Sequence, residues 1–197
     1  MAVDAPAPAL SGTMDVEEFM AFLETRPNGE RWDLIEGVAV MMAPPSFAHQ
    51  RIAHNLCNLL MGAFVARGLD LFAYIGVGVR TRGVRNFQPE PDVAVLPGVA
   101  GYDLYSERFQ LVAEILSPSN THGEIDLKLR RYREAPDNLY ALVIEPREFL
   151  MEIHAKSRNW QSIVLGQPDD LVELPEFGLR CHLRDLYRGT PLDPRRN

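Results

Sequence analysis

An acid in the middle of an apolar run is the feature that most restricts what this chain can fold into. Glu114 lies in Leu111-Val112-Ala113-Glu114-Ile115-Leu116, bounded after Leu116 by Ser117-Pro118-Ser119. A short, continuously apolar run with turn residues at its end reads as a strand covered on both faces. Glutamate is rarely buried there without a partner. Desolvation would neutralise it unless a cation stands beside it. The fold must therefore bring a positive charge to this strand. A structural pair with an Arg or Lys meets that need, and so does a bound metal ion.

A second acid opens another such run, Pro89-Glu90-Pro91-Asp92-Val93-Ala94-Val95-Leu96. At the end of a central strand Asp92 is either at the rim of the sheet or buried. A turn cap after Pro91, or a salt bridge, competes with a ligand role. A third candidate is Lys128, on a helix expected from Asn120 to Glu134. At about 100° per residue, with Ile125 at zero, Leu129 falls near 40°, Tyr132 near 340° and Lys128 near 300°. Lys128 therefore edges the buried stripe, where it either snorkels over apolar surface or reaches the strand ends. Arg130, at about 140°, points away. Glu36, closing Leu34-Ile35-Glu36, is a possible third carboxylate. Strand-borne Asp and Glu with a nearby Lys suit a hard divalent cation and a phosphodiester.

Other motifs add less. His49, in the first turns of a long helix, reads as a satisfied surface or core histidine. Ser117-Pro118-Ser119-Asn120 reads as a helix cap, since no Gly-x-Ser-x-Gly surrounds either serine. Gly76-Val77-Gly78 lacks the third glycine and the helix of a dinucleotide fingerprint.

The expected order is helix, strands, helix, strands, helix, strands. Asp15 and Glu18 form a capping-box signature before Val16, Phe19, Phe22 and Leu23. Trp32–Glu36 and Val38–Met42 read as strands about Gly37, and Ser46 caps a helix that Gly68 ends. Strands are expected at Leu71–Tyr74, Val77–Thr81, Asp92–Leu96, Gln110–Leu116, Tyr140–Ile144, Leu150–Ala155 and Gln161–Leu165, with a short helix at Leu183–Tyr187. This implies one α/β (α+β) domain, a mixed sheet flanked by helices, over residues 13–190. Residues 1–12 read as a disordered lead-in without a signal-peptide pattern, and 191–197 as a flexible tail.

The net charge of −7 counts against a protein that coats nucleic acid, because phosphate neutralisation needs a basic face. A local groove remains open: Arg80, Arg82 and Arg85 precede the Pro-Asp, and Arg130, Arg131 and Arg133 lie on the helix. A merely solvated surface is the equal alternative. Cys57 and Cys181, far apart, read as buried thiols in a reducing cytoplasm. No run approaches the roughly 18 apolar residues of a membrane span.

Taken in order, several segments resemble the Uma-type restriction-endonuclease family of the PD-(D/E)XK nuclease superfamily. They are Leu34-Ile35-Glu36-Gly37, Ala43-Pro44-Pro45-Ser46-Phe47-Ala48-His49, Pro91-Asp92-Val93, Val112 to Ser119, Asp126-Leu127-Lys128 and Tyr132. The resemblance runs from about Thr13 to about Tyr187. It implies a restriction-endonuclease-like fold and a metal-dependent DNA endonuclease. Asp92, Glu114 and the Ile115 carbonyl would hold Mg²⁺ or Mn²⁺, Glu36 would add a carboxylate, and Lys128 would stand in for the superfamily lysine. That lysine commonly follows the Glu by two residues, where this chain has Leu116. Ala135-Pro136-Asp137-Asn138-Leu139-Tyr140 also departs from the usual Gly-Val-x-x-Tyr-Trp. A cytoplasmic homodimer acting on DNA is the expectation. A non-catalytic DNA-associated or regulatory protein, or a small-molecule phosphoesterase, are the alternatives.

Overall fold

The apolar runs pair into a six-stranded mixed sheet with a helix on each face. The computed structural model describes residues 13–98, 101–118, 120–193 and 195. The elements are α1 (Val16–Glu24), β1 (Trp32–Ile35), β2 (Val38–Met41), α2 (Phe47–Arg67), β3 (Leu71–Ile75), β4 (Gly78–Val79), β5 (Val93–Pro97), β6 (Tyr105–Ser106), β7 (Leu111–Ile115), α3 (His122–Glu134), β8 (Tyr140–Glu145), β9 (Leu150–Ala155), β10 (Ser162–Leu165), β11 (Leu171–Leu174), β12 (Leu179–His182) and α4 (Leu183–Leu186). The main sheet runs β10-β9-β8-β7-β5-β3. Within this sheet only β7 and β8 pair in parallel, because α3 carries the chain back between them.

β7 is buried along its whole length, as its apolar run requires. Its side chains alternate between two cores. Leu111, Ala113 and Ile115 pack with Ile52, Leu56, Leu60 and Phe64 of α2. Val112 faces the other core, with Ile125, Leu129 and Tyr132 of α3. Glu114 shares that second face.

The helix ends follow local chemistry. The Asp15–Glu18 capping box forms at α1. Ser46 accepts from the His49 N–H at 3.2 Å, and Gly68 closes α2 in the left-handed conformation at φ 64°. The α3 cap lies one residue beyond the expected segment: Thr121 accepts from the Glu124 N–H, while the Asn120 side chain turns back to Ser117. Ser119 falls outside the described residues.

The expected strand at Val77–Thr81 is confined to Gly78–Val79, which pairs with the short β6. The β11–β12 hairpin was not legible as strands. Only Val172 and Leu174 of β11 are buried, so its apolar signal is brief. Cys57 is buried, Cys181 only partly, and both are free thiols. Of the expected tail, Asp193 is buried and accepts from the Gly189 N–H at 2.8 Å, while residues 194, 196 and 197 lie outside the described residues. The expected lead-in, residues 1–12, lies outside the described residues. No described helix is long and apolar enough to cross a membrane.

β1 and β2 form a separate hairpin, tied to the chain before β5 by a bridge between Leu34 and Gln88. Glu36 (φ 49°) and Gly37 (φ 79°) make its two-residue turn, with positive φ at both positions. A Cβ on Gly37 would lie 3.0 to 3.2 Å from backbone atoms of Thr13 and Met14. Gly37→Ala should therefore cost about 1–3 kcal/mol and lower the melting temperature by several degrees, measured by calorimetry. An unchanged melting temperature would show that the hairpin yields freely.

A buried acid–lysine cluster as candidate active site

Asp92 and Glu114 meet because β5 and β7 are antiparallel neighbours. Val93 pairs with Ala113, so the same register sets Asp92 opposite Glu114, one step beyond the last ladder pair. The Asp92 Oδ2 accepts from the Ile115 N–H at 2.7 Å and lies 3.1 Å from His49 Nε2. In an extended residue the N–H and C=O point to the same side, so the Ile115 carbonyl also faces the end of β5. Asp92 Oδ1 has no partner among the described residues.

Lys128 supplies the cation that Glu114 needs. Its side chain is fully buried, and Nζ lies 3.2 Å from Glu114 Oε2 and 2.7 Å from Asp33 Oδ2. Asp33 also accepts from the Glu90 N–H at 2.8 Å. Tyr132, one turn after Lys128 on α3, donates to Glu114 Oε1 at 2.5 Å. Both Glu114 oxygens are thus engaged by α3.

The sequence reading missed Asp33. The signal was the one that marked Glu114: Trp32-Asp33-Leu34-Ile35 is an apolar strand with an acid inside it, buried throughout. Glu36, selected instead, is not with these acids. It projects from the hairpin turn, where Arg131 Nε reaches its Oε1 at 2.6 Å and holds its carboxyl below the usual range. The reason is register. Successive strand residues alternate faces, and Glu36 already lies in the turn after β1.

The expected basic groove is largely neutralised. Arg85 pairs with Asp15 at 3.0 Å, Arg82 lies 3.6 Å from Glu107, and Arg131 also binds Glu134 at 3.0 Å. Arg80 stacks on Tyr105 and donates to Gln88. Arg130 is exposed on the outer face of α3, as its helical angle predicts.

The electrostatics show a surplus of negative charge. Burial works against the Lys128 ammonium, but Asp33 and Glu114 outweigh it and hold it charged. Asp33 is the nearer counter-ion, which leaves Glu114 only a share of the cation. Glu114 is pushed up to about 7, first by burial; Lys128 pulls it down, Asp92 and Asp33 push it up, and the Tyr132 hydrogen bond lowers it again. Burial and Glu114 together keep the Tyr132 phenol protonated.

Two buried carboxylates around one lysine, with Asp92 buried beside Glu114, suit an added hard cation. The donor set of Asp92, Glu114 and a backbone carbonyl is all oxygen. No group of three or more His, Cys, Asp or Glu side chains among the described residues is placed to hold a metal ion by itself. A cation here would take backbone and water ligands as well, as Mg²⁺ does.

The raised Glu114 value carries a sign. The folded state binds this proton more tightly than the unfolded chain, so the associated stability is present below the ordinary carboxylate range and is lost as pH rises towards 7. Glu114→Gln imitates the protonated form. Its stability relative to the parent should therefore increase between about pH 4.5 and 7, by up to about 3 kcal/mol. Urea denaturation at several pH values measures this, and a pH-independent difference would contradict the assignment.

Comparison with known proteins places these residues in a wider group. A family model, Uma2, described as "Putative restriction endonuclease", matches residues 16–184. A solved structure from Anabaena variabilis, titled a "putative nuclease belonging to DUF820", superposes with a TM-score of 0.71 at 18% identity, covering 88% of this chain and 97% of that one. At that identity the likeness is one of fold. No curated protein matches the chain.

Proposed function

The chain belongs to the Uma2 restriction-endonuclease family, and on that premise we propose that it is a Mg²⁺- or Mn²⁺-dependent endonuclease that hydrolyses DNA phosphodiesters. The observation that carries this reading is the surplus of carboxylates in a buried cluster, with Asp92 and Glu114 side by side at the ends of paired strands. Asp92, through Oδ1, Glu114 and the Ile115 carbonyl would hold the cation. When bound, it would supply a water of lowered pKa and screen charge developing on the phosphate. Lys128 has a role shifted from that expected of a lysine beside the attacking water. Fully buried and bound to Asp33 and Glu114, it orients Glu114 and opposes the effect of burial on that carboxyl. Tyr132 fixes the second Glu114 oxygen.

A non-catalytic DNA-associated protein on the same fold is the second reading. The same burial of Lys128 favours it, since the ammonium is committed to two carboxylates and Leu116 occupies the usual lysine position. Nicking of supercoiled DNA with Mn²⁺ separates the two. The parent protein should nick, and Asp92→Ala should lower the rate roughly a hundredfold and abolish Mn²⁺ binding by calorimetry. If parent and variant bind Mn²⁺ equally weakly and neither cuts, the second reading stands.

His49 enters the site as a positioning residue. Donating from Nε2, it ties down Asp92 Oδ2 and leaves Oδ1 for a ligand. His49→Ala should weaken Mn²⁺ binding roughly tenfold, whereas His49→Gln, which keeps a donor, should retain most of it. Equal loss in both variants would mean that the imidazole serves packing alone.

A further inference from the structure

In a chain of net charge −7, the two cavities flanking His49 have no carboxylate among their described lining residues. One, of about 430 Å³, is lined by His49 itself, with Pro44, Ser117 and Arg147. The other, of about 530 Å³, is lined by Phe47, Arg51, His54 and Thr190. Ala48 and Pro191 line both, so the two adjoin. Glu145 and Glu148 line a third cavity, which shares Leu116, Pro118, Pro146 and Arg147 with the first.

Two further features meet in this region. The guanidinium groups of Arg51 and Arg147 pair with no acid among the described residues, as is also true of Arg67, Arg130 and Arg188, whereas Arg82, Arg85, Arg108 and Arg131 are each paired with one. Phe47 is 91% exposed in the first turn of α2. Phe47, Arg51 and His54 are spaced four and three residues apart and so share one helix face. Placing an aromatic ring in water costs free energy, and unpaired arginines beside it form the combination that grips a nucleic-acid strand: a stacking ring flanked by phosphate-binding cations.

We propose that this face, from Phe47, Arg51 and His54 on α2 across the cavity to Arg147, is the DNA-contact surface that delivers a phosphate to Asp92. Arg51 and Arg147 bind phosphates on either side of the reacting one, and Phe47 stacks on a base. The proposal rests on the nuclease reading for its substrate class and replaces the groove expected from Arg80, Arg82, Arg85, Arg130 and Arg131. The acidic balance of the whole chain is compatible with it, because the binding face is local and the acids on the opposite surfaces discourage nonspecific coating.

Binding can be measured apart from cleavage, by fluorescence anisotropy with a labelled 20-base-pair DNA duplex in EDTA. The variants are Phe47→Ala, the double variant Arg51→Gln/Arg147→Gln, and Arg82→Gln/Arg85→Gln as the comparison pair. All alter exposed side chains, and melting temperatures check their folding. The Arg51/Arg147 variant should bind roughly tenfold or more weaker at low salt, with the log–log salt slope smaller by about 1 to 2. Phe47→Ala should bind about fivefold or more weaker with the slope unchanged. The Arg82/Arg85 variant should stay within about twofold of the parent. A parent protein that binds through this face but does not nick with Mn²⁺ would retain the surface and lose the nuclease reading. A parent that nicks, but whose binding depends on Arg82 and Arg85 and not on Arg51 and Arg147, would do the reverse. Failure of the parent to bind DNA at all would overturn the proposal.

Discussion

The buried ammonium of Lys128 is the interaction on which the arrangement depends. It joins three elements with no sequence proximity: Asp33 from the hairpin, Glu114 from the central strand and α3, which carries the lysine. A buried carboxylate without a cation is strongly unfavourable, and so is a buried lysine without a carboxylate. Each group therefore requires the others. The hairpin does not belong to the main sheet; its ion pair with Lys128 acts beside backbone hydrogen bonds to Gln88 and Asn86 and the Arg131–Glu36 pair in holding it over the site.

This tie leaves the site short of positive charge. One lysine cannot balance Asp33, Asp92 and Glu114, and the two aspartates add to the larger effect of burial in raising Glu114. Natural folds retain such imbalance where function uses it, because apolar residues of similar volume would often be more stable.

Much of the site was legible because burial was legible. The apolar run around Glu114 showed that the acid needed a cation, and helical arithmetic set Lys128 beside the buried stripe of Ile125, Leu129 and Tyr132. The same reasoning applied to Trp32-Asp33-Leu34-Ile35 would have found Asp33, but that strand is only four residues long and Glu36 at its end drew the attention. The arginines failed as a predictor for a different reason. An arginine in sequence says nothing about which acid folding will set beside it, and Arg82, Arg85 and Arg131 all met one.

Local chemistry alone determined the strand and helix order apart from β6 and the β11–β12 hairpin, the Asp15, Ser46 and Gly68 helix ends, the turn at Gly37 and the burial of Glu114. These follow from periodicity, capping and desolvation, which act over a few residues. Tertiary structure decided which charges meet. The antiparallel register of β5 and β7 put Asp92 opposite Glu114, the hairpin brought Asp33 to Lys128, and α2 brought His49 to Asp92. Those contacts span 22 to 95 residues of chain, the Asp92–Glu114 and Lys128–Asp33 pairs being the extremes. No local pattern specifies such distances. They are set by the way a mixed sheet and its two helix layers close around one buried cation.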